Sequence, residues 1–241
     1  MVFTAQVSST RTDDLRNALR EVLTRSLPDC RPETIEALVR IARLRVLQAG
    51  DPIYQQGDAV TLCLILHGFA VSQRTTADGQ VIMSGVVPDD RLFGYSGISG
   101  SLSSVELIAL TECAVAQWPT PELRSVVAGD VALAFAAIDS MAASLHQTIE
   151  SIEGFLHQDA RRRVLRVLSR YRDLIFRDPP VLTRAHLPGL IGTSREMTGR
   201  VLRQLEREGT IERFGRTGLR LLSPDALTLD ERRSAARADR R

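Results

Sequence analysis

The chain contains no lysine: its 31 basic residues are all arginine. A GC-rich genome produces that bias by itself, so it carries no functional weight. Cysteine is almost as scarce. Cys30, Cys63 and Cys113 are far apart, odd in number and without paired spacing, which excludes a disulfide framework and a cysteine-built zinc or iron–sulfur site and leaves reduced, mostly buried thiols. The four histidines, His67, His146, His157 and His186, are equally scattered. Also missing are a nucleophile elbow, a phosphate-cradling glycine loop and a helical metal-binding pair. No enzyme and no bound metal are therefore expected. Arg11, Asp13, Asp14 and Arg16 interrupt the N-terminus before a long apolar run can develop. Neither a secretory signal nor a transmembrane helix is expected, no membrane partner is implied, and the cytoplasm is the default location.

What is present is a chain of 241 residues, 44% of them hydrophobic, long enough for two packed domains. Its net charge of +2 conceals a partition. Residues 1–156 carry 11 Arg against 18 acidic residues, a net of −7, whereas residues 157–220 carry 15 Arg against 7, a net of +8. That asymmetry is expected when only the C-terminal region must neutralise phosphate. Duplex DNA is the expected partner.

Hydrophobic spacing divides the chain further. Leu15, Leu19, Val22 and Leu23, then Ile35, Leu38, Val39 and Ala42, mark two helices separated by Pro28 and Pro32. From Val46 to Trp118 short aliphatic runs alternate with turns such as Gly50-Asp51-Pro52, Gly57-Asp58 and Asp78-Gly79, the pattern of a small antiparallel barrel or sandwich. A long helix is expected to begin near Asp130. Its Val131, Ala134, Ile138, Met141, Leu145, Thr148, Ile152 and Phe155 follow one another by three and four residues, the spacing of a coiled-coil seam, and predict a homodimer. The expected fold class is α+β. Its segments are a helical N-terminus (1–45), a β domain (46–128), a dimerisation helix (129–157), a DNA-binding domain (158–224) and a mobile basic tail (225–241), with a hinge at His157–Asp159.

The stretch Leu182–Leu205 reads as two helices joined by a tight turn. Gly192 follows the apolar Leu187, Leu190 and Ile191, and Thr193 and Ser194 are suited to cap a new helix. In that second helix Met197, Val201, Leu202 and Leu205 form the expected buried stripe, leaving Arg195, Glu196, Gly199 and Arg200 outward. Arginine bonds guanine bidentately and a carboxylate accepts from the cytosine amino group, so this face suits major-groove readout. Two alternating runs around Gly215 and Gly218 follow, predicting a β-hairpin wing. Pro188-Gly189 inside the first helix predicts that it is short or kinked, at a cost in stability.

The order of these parts resembles the CRP/FNR family of bacterial transcription regulators over roughly Leu44–Leu222. The carriers are AGDPIYQQGD (Ala49–Asp58), LILHGFAV (Leu64–Val71), RLFGYSG (Arg91–Gly97) and above all GTSREMTGRVLRQLEREGTI (Gly192–Ile211). The resemblance implies a cyclic-nucleotide-binding-like β-roll (jelly roll), a dimerisation helix and a winged helix–turn–helix. It also implies a palindromic promoter site and RNA polymerase as a partner, for activation more commonly than repression. Ser194-Arg195-Glu196 with Arg200 is similar to the cyclic-AMP receptor branch and implies a TGTGA-like half-site, with Thr193, Ser194 and Thr198 on phosphates. The effector segment departs from that branch. Gly94-Tyr95-Ser96-Gly97 stands where a Gly-Glu-Leu element is expected, and Ser103-Ser104 where an Arg-Ser pair would hold the cyclic phosphate. Together with Thr148, at the position of an adenine-contacting threonine, these residues form the expected effector pocket, for a small molecule other than cyclic AMP. No cofactor is predicted. Haem held by His67 or Cys63 is the alternative, in a sensor acting chiefly through protein partners.

Overall fold

The structure, a computed structural model, describes residues 9–87, 89–90, 92–223 and 227. Apart from Leu227, the basic tail expected from residue 225 lies outside them. The chain divides into two units, one built mainly from residues up to Thr148 and the other mainly from Ile149 onward.

In the first unit α1 (Ser9–Ser26) and α2 (Pro32–Ile41) precede the strands. Pro32 sits in the first turn of α2, where its missing N–H would have had no partner in any case. Strand β1 (Arg43–Leu47) starts within the segment expected to be helical up to residue 45, because Arg43, Leu44, Arg45 and Val46 alternate with period two. There follow β2 (Pro52–Tyr54), β3 (Leu62–His67), β4 (Ala70–Thr75), β5 (Val81–Val87), β6 (Leu92–Phe93), a 3₁₀ helix (Tyr95–Ser99), β7 (Glu106–Ala109) and β8 (Cys113–Trp118). Among the described residues these strands form two four-stranded sheets, β1-β8-β3-β6 and β2-β7-β4-β5.

The alternation along β3 sets the layers. Cys63 and Ile65 join Leu47, Cys113 and Val115 of their own sheet and Ile53, Ala70, Leu107 and Ala109 of the other in one buried cluster, so the sheets pack face to face. Leu62 and Leu64 point the other way, into a second cluster with Leu19, Leu23, Leu38 and Trp118. The Trp118 indole N–H donates to Leu38 O at 2.8 Å, satisfying the one polar atom of the largest core side chain.

After α3 (Thr120–Gly129), α4 runs from Val131 to His157. Between them Asp130 is buried and accepts from the Thr34 hydroxyl at 2.5 Å and from the Arg31 and Ala132 N–H groups at 3.1 and 3.0 Å. These bonds hold its carboxyl below the usual range, the Thr34 bond foremost, and join the starts of α2 and α4. One side of α4 buries Leu133 and Ala137, while Val131, Phe135, Ile138, Met141, Leu145, Ile149 and Ile152 are exposed.

That exposed ridge includes Phe135 beside the expected Ala134 and Ile149 beside the expected Thr148. Ala134 is half-buried, and the exposed Thr148 donates its hydroxyl to Ser144 O at 2.9 Å. A three-four spacing has two registers through Val131, Ile138, Leu145 and Ile152; burial separates Phe135 from Ala134, whereas Thr148 and Ile149 are both exposed. The Phe155 side chain lies outside the described residues.

The second unit contains α5 (Ala160–Arg170), α6 (Arg172–Ile175), α7 (Leu187–Ile191), α8 (Arg195–Arg207), β9 (Ile211–Phe214) and β10 (Gly218–Leu221). The Asp159 carboxylate caps α5 by accepting from the Arg162 N–H at 2.8 Å. Helix α5 packs on α7 and α8, and Val164, Leu168, Leu187, Ile191, Leu202 and Leu205 are buried. A bidentate pair between Arg161 and Glu208, 3.2 and 2.7 Å, ties the start of α5 to the end of α8.

Candidate nucleic-acid interface

Helix α7 is five residues long, and Pro188 stands in its first turn. The expected short helix is present, and the missing proline N–H falls where no intrahelical bond was due, so the expected stability cost is largely avoided. Gly192 ends α7 at φ +68°, a left-handed conformation that favours glycine, and its N–H donates to Pro188 O at 2.9 Å. Ahead of the helix the Thr183 N–H donates to His186 Nδ1 at 3.0 Å. Burial holds that imidazole below its ordinary range and therefore neutral.

Ser194 caps α8: its hydroxyl accepts from the Met197 N–H at 3.1 Å. The Thr198 N–H donates to Ser194 O at 3.0 Å, so among the described residues the Arg195 and Glu196 N–H groups are left for an outside acceptor such as a phosphate. Ser194, Arg195, Glu196 and Arg200 are all exposed. Arg200 Nη2 lies 3.0 Å from Glu196 Oε1, an exposed pair one helical turn apart. Such a pair contributes only about 0.3–0.5 kcal/mol. An outside partner can therefore replace it at little cost.

Two expectations for this helix are corrected. Thr198, assigned to a phosphate, is only 2% exposed, and among the described residues its hydroxyl has no hydrogen-bond partner. Met197, assigned to the buried stripe, is half-exposed. The stripe is Thr198, Val201, Leu202 and Leu205, a run equally consistent with three- and four-residue spacing, in which a polar threonine hides behind an apolar-looking neighbour. Thr193 is half-buried and its N–H donates to Pro188 O at 3.2 Å.

The wing is the hairpin β9–β10, with Arg220 opposite Glu212 and the pair 3.2 Å apart. Arg213 binds Glu206 at 2.7 Å, joining the wing to α8, and Arg184 donates through Nη2 to Arg216 O. Arg184, Arg203 and Arg213 line one cleft together with Arg195, a set that sequence reading passed over. Their only signal there was the surplus of arginine in residues 157–220.

In the first unit, the residues expected to line an effector pocket are largely used by the fold. Gly94 has φ +81°, and a Cβ there would come within 2.4 Å of Thr61 O. Tyr95 is buried among Leu62, Leu64 and Trp118, and exposed Ser96 accepts from the Ser99 hydroxyl at 2.6 Å. Ser103 is buried. Its hydroxyl donates to Val105 O at 2.6 Å and shares a hydrogen bond with Tyr54, whose phenol burial pushes up to about 12. Only Ser96, Ser104 and Thr148 of the six keep an exposed side chain. The thiol of Cys63, one of the two residues considered for haem, donates to Thr61 O at 3.3 Å and is pushed up to about 11 by burial, which keeps it protonated. His67, the other, is exposed at the end of β3.

Residues 44–130 match the cyclic nucleotide-binding domain, and residues 162–229 match the Crp-like helix-turn-helix domain. The chain is 26% identical over 191 residues to the cAMP-activated global transcriptional regulator Vfr of Pseudomonas aeruginosa, which spans 75% of this chain and 89% of Vfr. It is 21% identical over 188 residues to the cAMP-activated global transcriptional regulator CRP of Haemophilus influenzae, 73% of this chain and 80% of that protein. The solved structure of the c-di-GMP responsive global regulator CLP of Xanthomonas campestris superposes with a TM-score of 0.68 at 22% identity, over 80% of this chain and all of CLP. A cyclic nucleotide-binding domain followed by a Crp-like helix-turn-helix, in the order these regulators share, makes the chain a member of the CRP/FNR family of transcription regulators.

Proposed function

We propose that the chain acts as a homodimer on a palindromic promoter site with TGTGA-like half-sites. Arg195 and Arg200 read guanines, Glu196 accepts from an exocyclic amine, and Thr193, Ser194 and the first N–H groups of α8 hold phosphates. The observation that carries this reading is the exposed Arg195, Glu196 and Arg200 set on the first turns of a capped helix. The apolar ridge of α4 supplies the dimer contact, and two-fold symmetry sets the recognition helices about 34 Å apart, one helical turn of DNA. RNA polymerase at the promoter is the expected protein partner.

The controlling signal in this reading is not cyclic AMP, although Vfr and the Haemophilus regulator are cAMP-activated. Ser103 replaces a phosphate-pairing arginine with a short hydroxyl that the fold already engages, so the charge-assisted pair a cyclic phosphate needs is missing.

Anisotropy titration against a TGTGA palindrome, a scrambled duplex and a single half-site, over several salt concentrations, tests the DNA arm. Selective retention of the palindrome is expected; equal affinity for all three would overturn it. For the effector arm, thermal denaturation with cyclic nucleotides, 2-oxoglutarate and haem should give no shift with cyclic AMP, since a ligand that binds only the folded state raises the transition.

A further inference from the structure

Gly199 stands well inside α8 (Arg195–Arg207). Glycine in a helix interior loses more backbone freedom on folding than alanine would, a cost of about 5-fold in the folding equilibrium. A fold keeps such a residue where the backbone needs a left-handed turn or where a side chain would collide. Neither holds at Gly199. It is absent from the glycines of positive φ, among which Gly192 is found. The nearest atom to a built Cβ is Arg203 Nη1 at 3.8 Å, ordinary contact with the end of a flexible side chain. At Gly94, by contrast, a Cβ would come within 2.4 Å of Thr61 O. Among the described residues, then, nothing in the fold calls for glycine at 199.

The surroundings indicate what does. One helical turn away on the same side are Arg195, Glu196 and Arg203, whereas Thr198, Val201, Leu202 and Leu205 form the buried stripe. Gly199 is a bare patch of backbone beside the reading residues. It lines a cleft of about 350 Å³ together with Ala185, Pro188 and Leu202. Bare backbone flanked by such side chains suits a small apolar group. Of the groups that base edges present in the major groove, the thymine C5 methyl is the apolar one.

We propose that Gly199 is a specificity-determining residue, against which the C5 methyl of one thymine in each half-site is seated. The methyl takes the space that a side chain at 199 would fill. The missing side chain lets α8 lie close to the bases, within reach of Arg195, Glu196 and Arg200, and adds an apolar contact that those three cannot make. The proposal rests on the DNA-reading role of α8 given above.

The test adds one methyl group to the protein and removes one from the DNA. The full chain and its Gly199→Ala variant are titrated against a TGTGA palindrome, a scrambled duplex, and a series in which deoxyuridine replaces each half-site thymine in turn, on either strand. Melts of the free proteins come first. The variant should unfold about 2–4 °C higher, alanine being the better helix former. It should nevertheless bind the palindrome about 10-fold more weakly, the scale of one wrong base pair. At one position deoxyuridine should weaken the parent about 4-fold, for one buried methyl, and bring the variant to within about 3-fold of the parent on that duplex. A role in folding alone would move the melts without the uracil dependence. A variant that melts lower, one that binds the palindrome as the parent does, or one whose weakening no deoxyuridine relieves, would overturn the proposal. Failure of the DNA reading itself is seen elsewhere. The parent chain would then bind the palindrome and the scrambled duplex alike, and both proposals would fall.

Discussion

On the first turns of α8 the charged side chains Arg195, Glu196 and Arg200 stand away from the fold, whereas in the 94–104 segment of the β-roll Tyr95 and Ser103 are turned into it. Ser194 and Ser103 make the contrast concrete. Each hydroxyl is engaged by local backbone, Ser194 by the Met197 N–H and Ser103 by Val105. The first bond orders a helix whose next residues, Arg195 and Glu196, are thereby presented to a partner. The second closes a buried turn against Tyr54 and presents nothing. The same kind of bond leaves charged side chains outward in one region and consumes a hydroxyl in the other, because one lies at an exposed helix start and the other is buried.

The largest effect should come from neither region but from the α4 ridge proposed above as the dimer contact. In that proposed two-fold contact Leu145→Glu places a charge on each side and removes two leucines that it would bury, about 3–6 kcal/mol per dimer. Sedimentation velocity should show monomer, and palindrome affinity should fall to that of a half-site. Next, Arg195→Ala should cost about 1–3 kcal/mol at one base pair only, seen as lost discrimination in a panel of single-base operator variants at fixed salt. A uniform loss on every sequence would assign Arg195 to phosphate instead.

Ser103→Ala sharpens the contrast from the other side. It should lower stability by about 1–2 kcal/mol in urea melts, because buried partners are left unsatisfied, with DNA affinity unchanged. Ser194→Ala should cost about 1 kcal/mol of stability and also weaken DNA binding, because the cap orders the reading residues. The smallest effect is a pH dependence. The folded fold holds His186 below its unfolded value of about 6.5, so its neutral form contributes stability above that pH, and the contribution is lost as pH falls through 6.5 toward the lower folded value. Melts of the parent chain and a His186→Gln variant should diverge less at pH 5.5 than at pH 7.5.

Much of this was legible before any coordinates. The restart of a helix after Gly192, the hairpin around Gly215 and the short α7 follow from local rules of capping, turn chemistry and proline placement. The stripe on α8 was read one position astray at Met197 because a sequence shows periodicity without its phase. Thr198 and Met197 are adjacent, as are the half-buried Ala134 and the exposed Phe135 on α4; either member of each pair satisfies the spacing. What selects between them is the surface on the other side of the helix. The four-arginine cleft escaped notice for a related reason. Arg184 lies in the turn ahead of α7, Arg203 on α8 and Arg213 on β9, and their convergence depends on how those segments pack.

By itself the sequence determined the elements, their order and the chemistry of the reading face, since these rest on contacts within a few residues along the chain. Only the tertiary structure decided which side of each helix is covered, that Tyr95 and Ser103 belong to the interior, and that Thr198 is buried on the inner face of α8. Burial is set by neighbours distant in sequence, and a hydroxyl serves as a ligand or as a structural bond according to what packs over it.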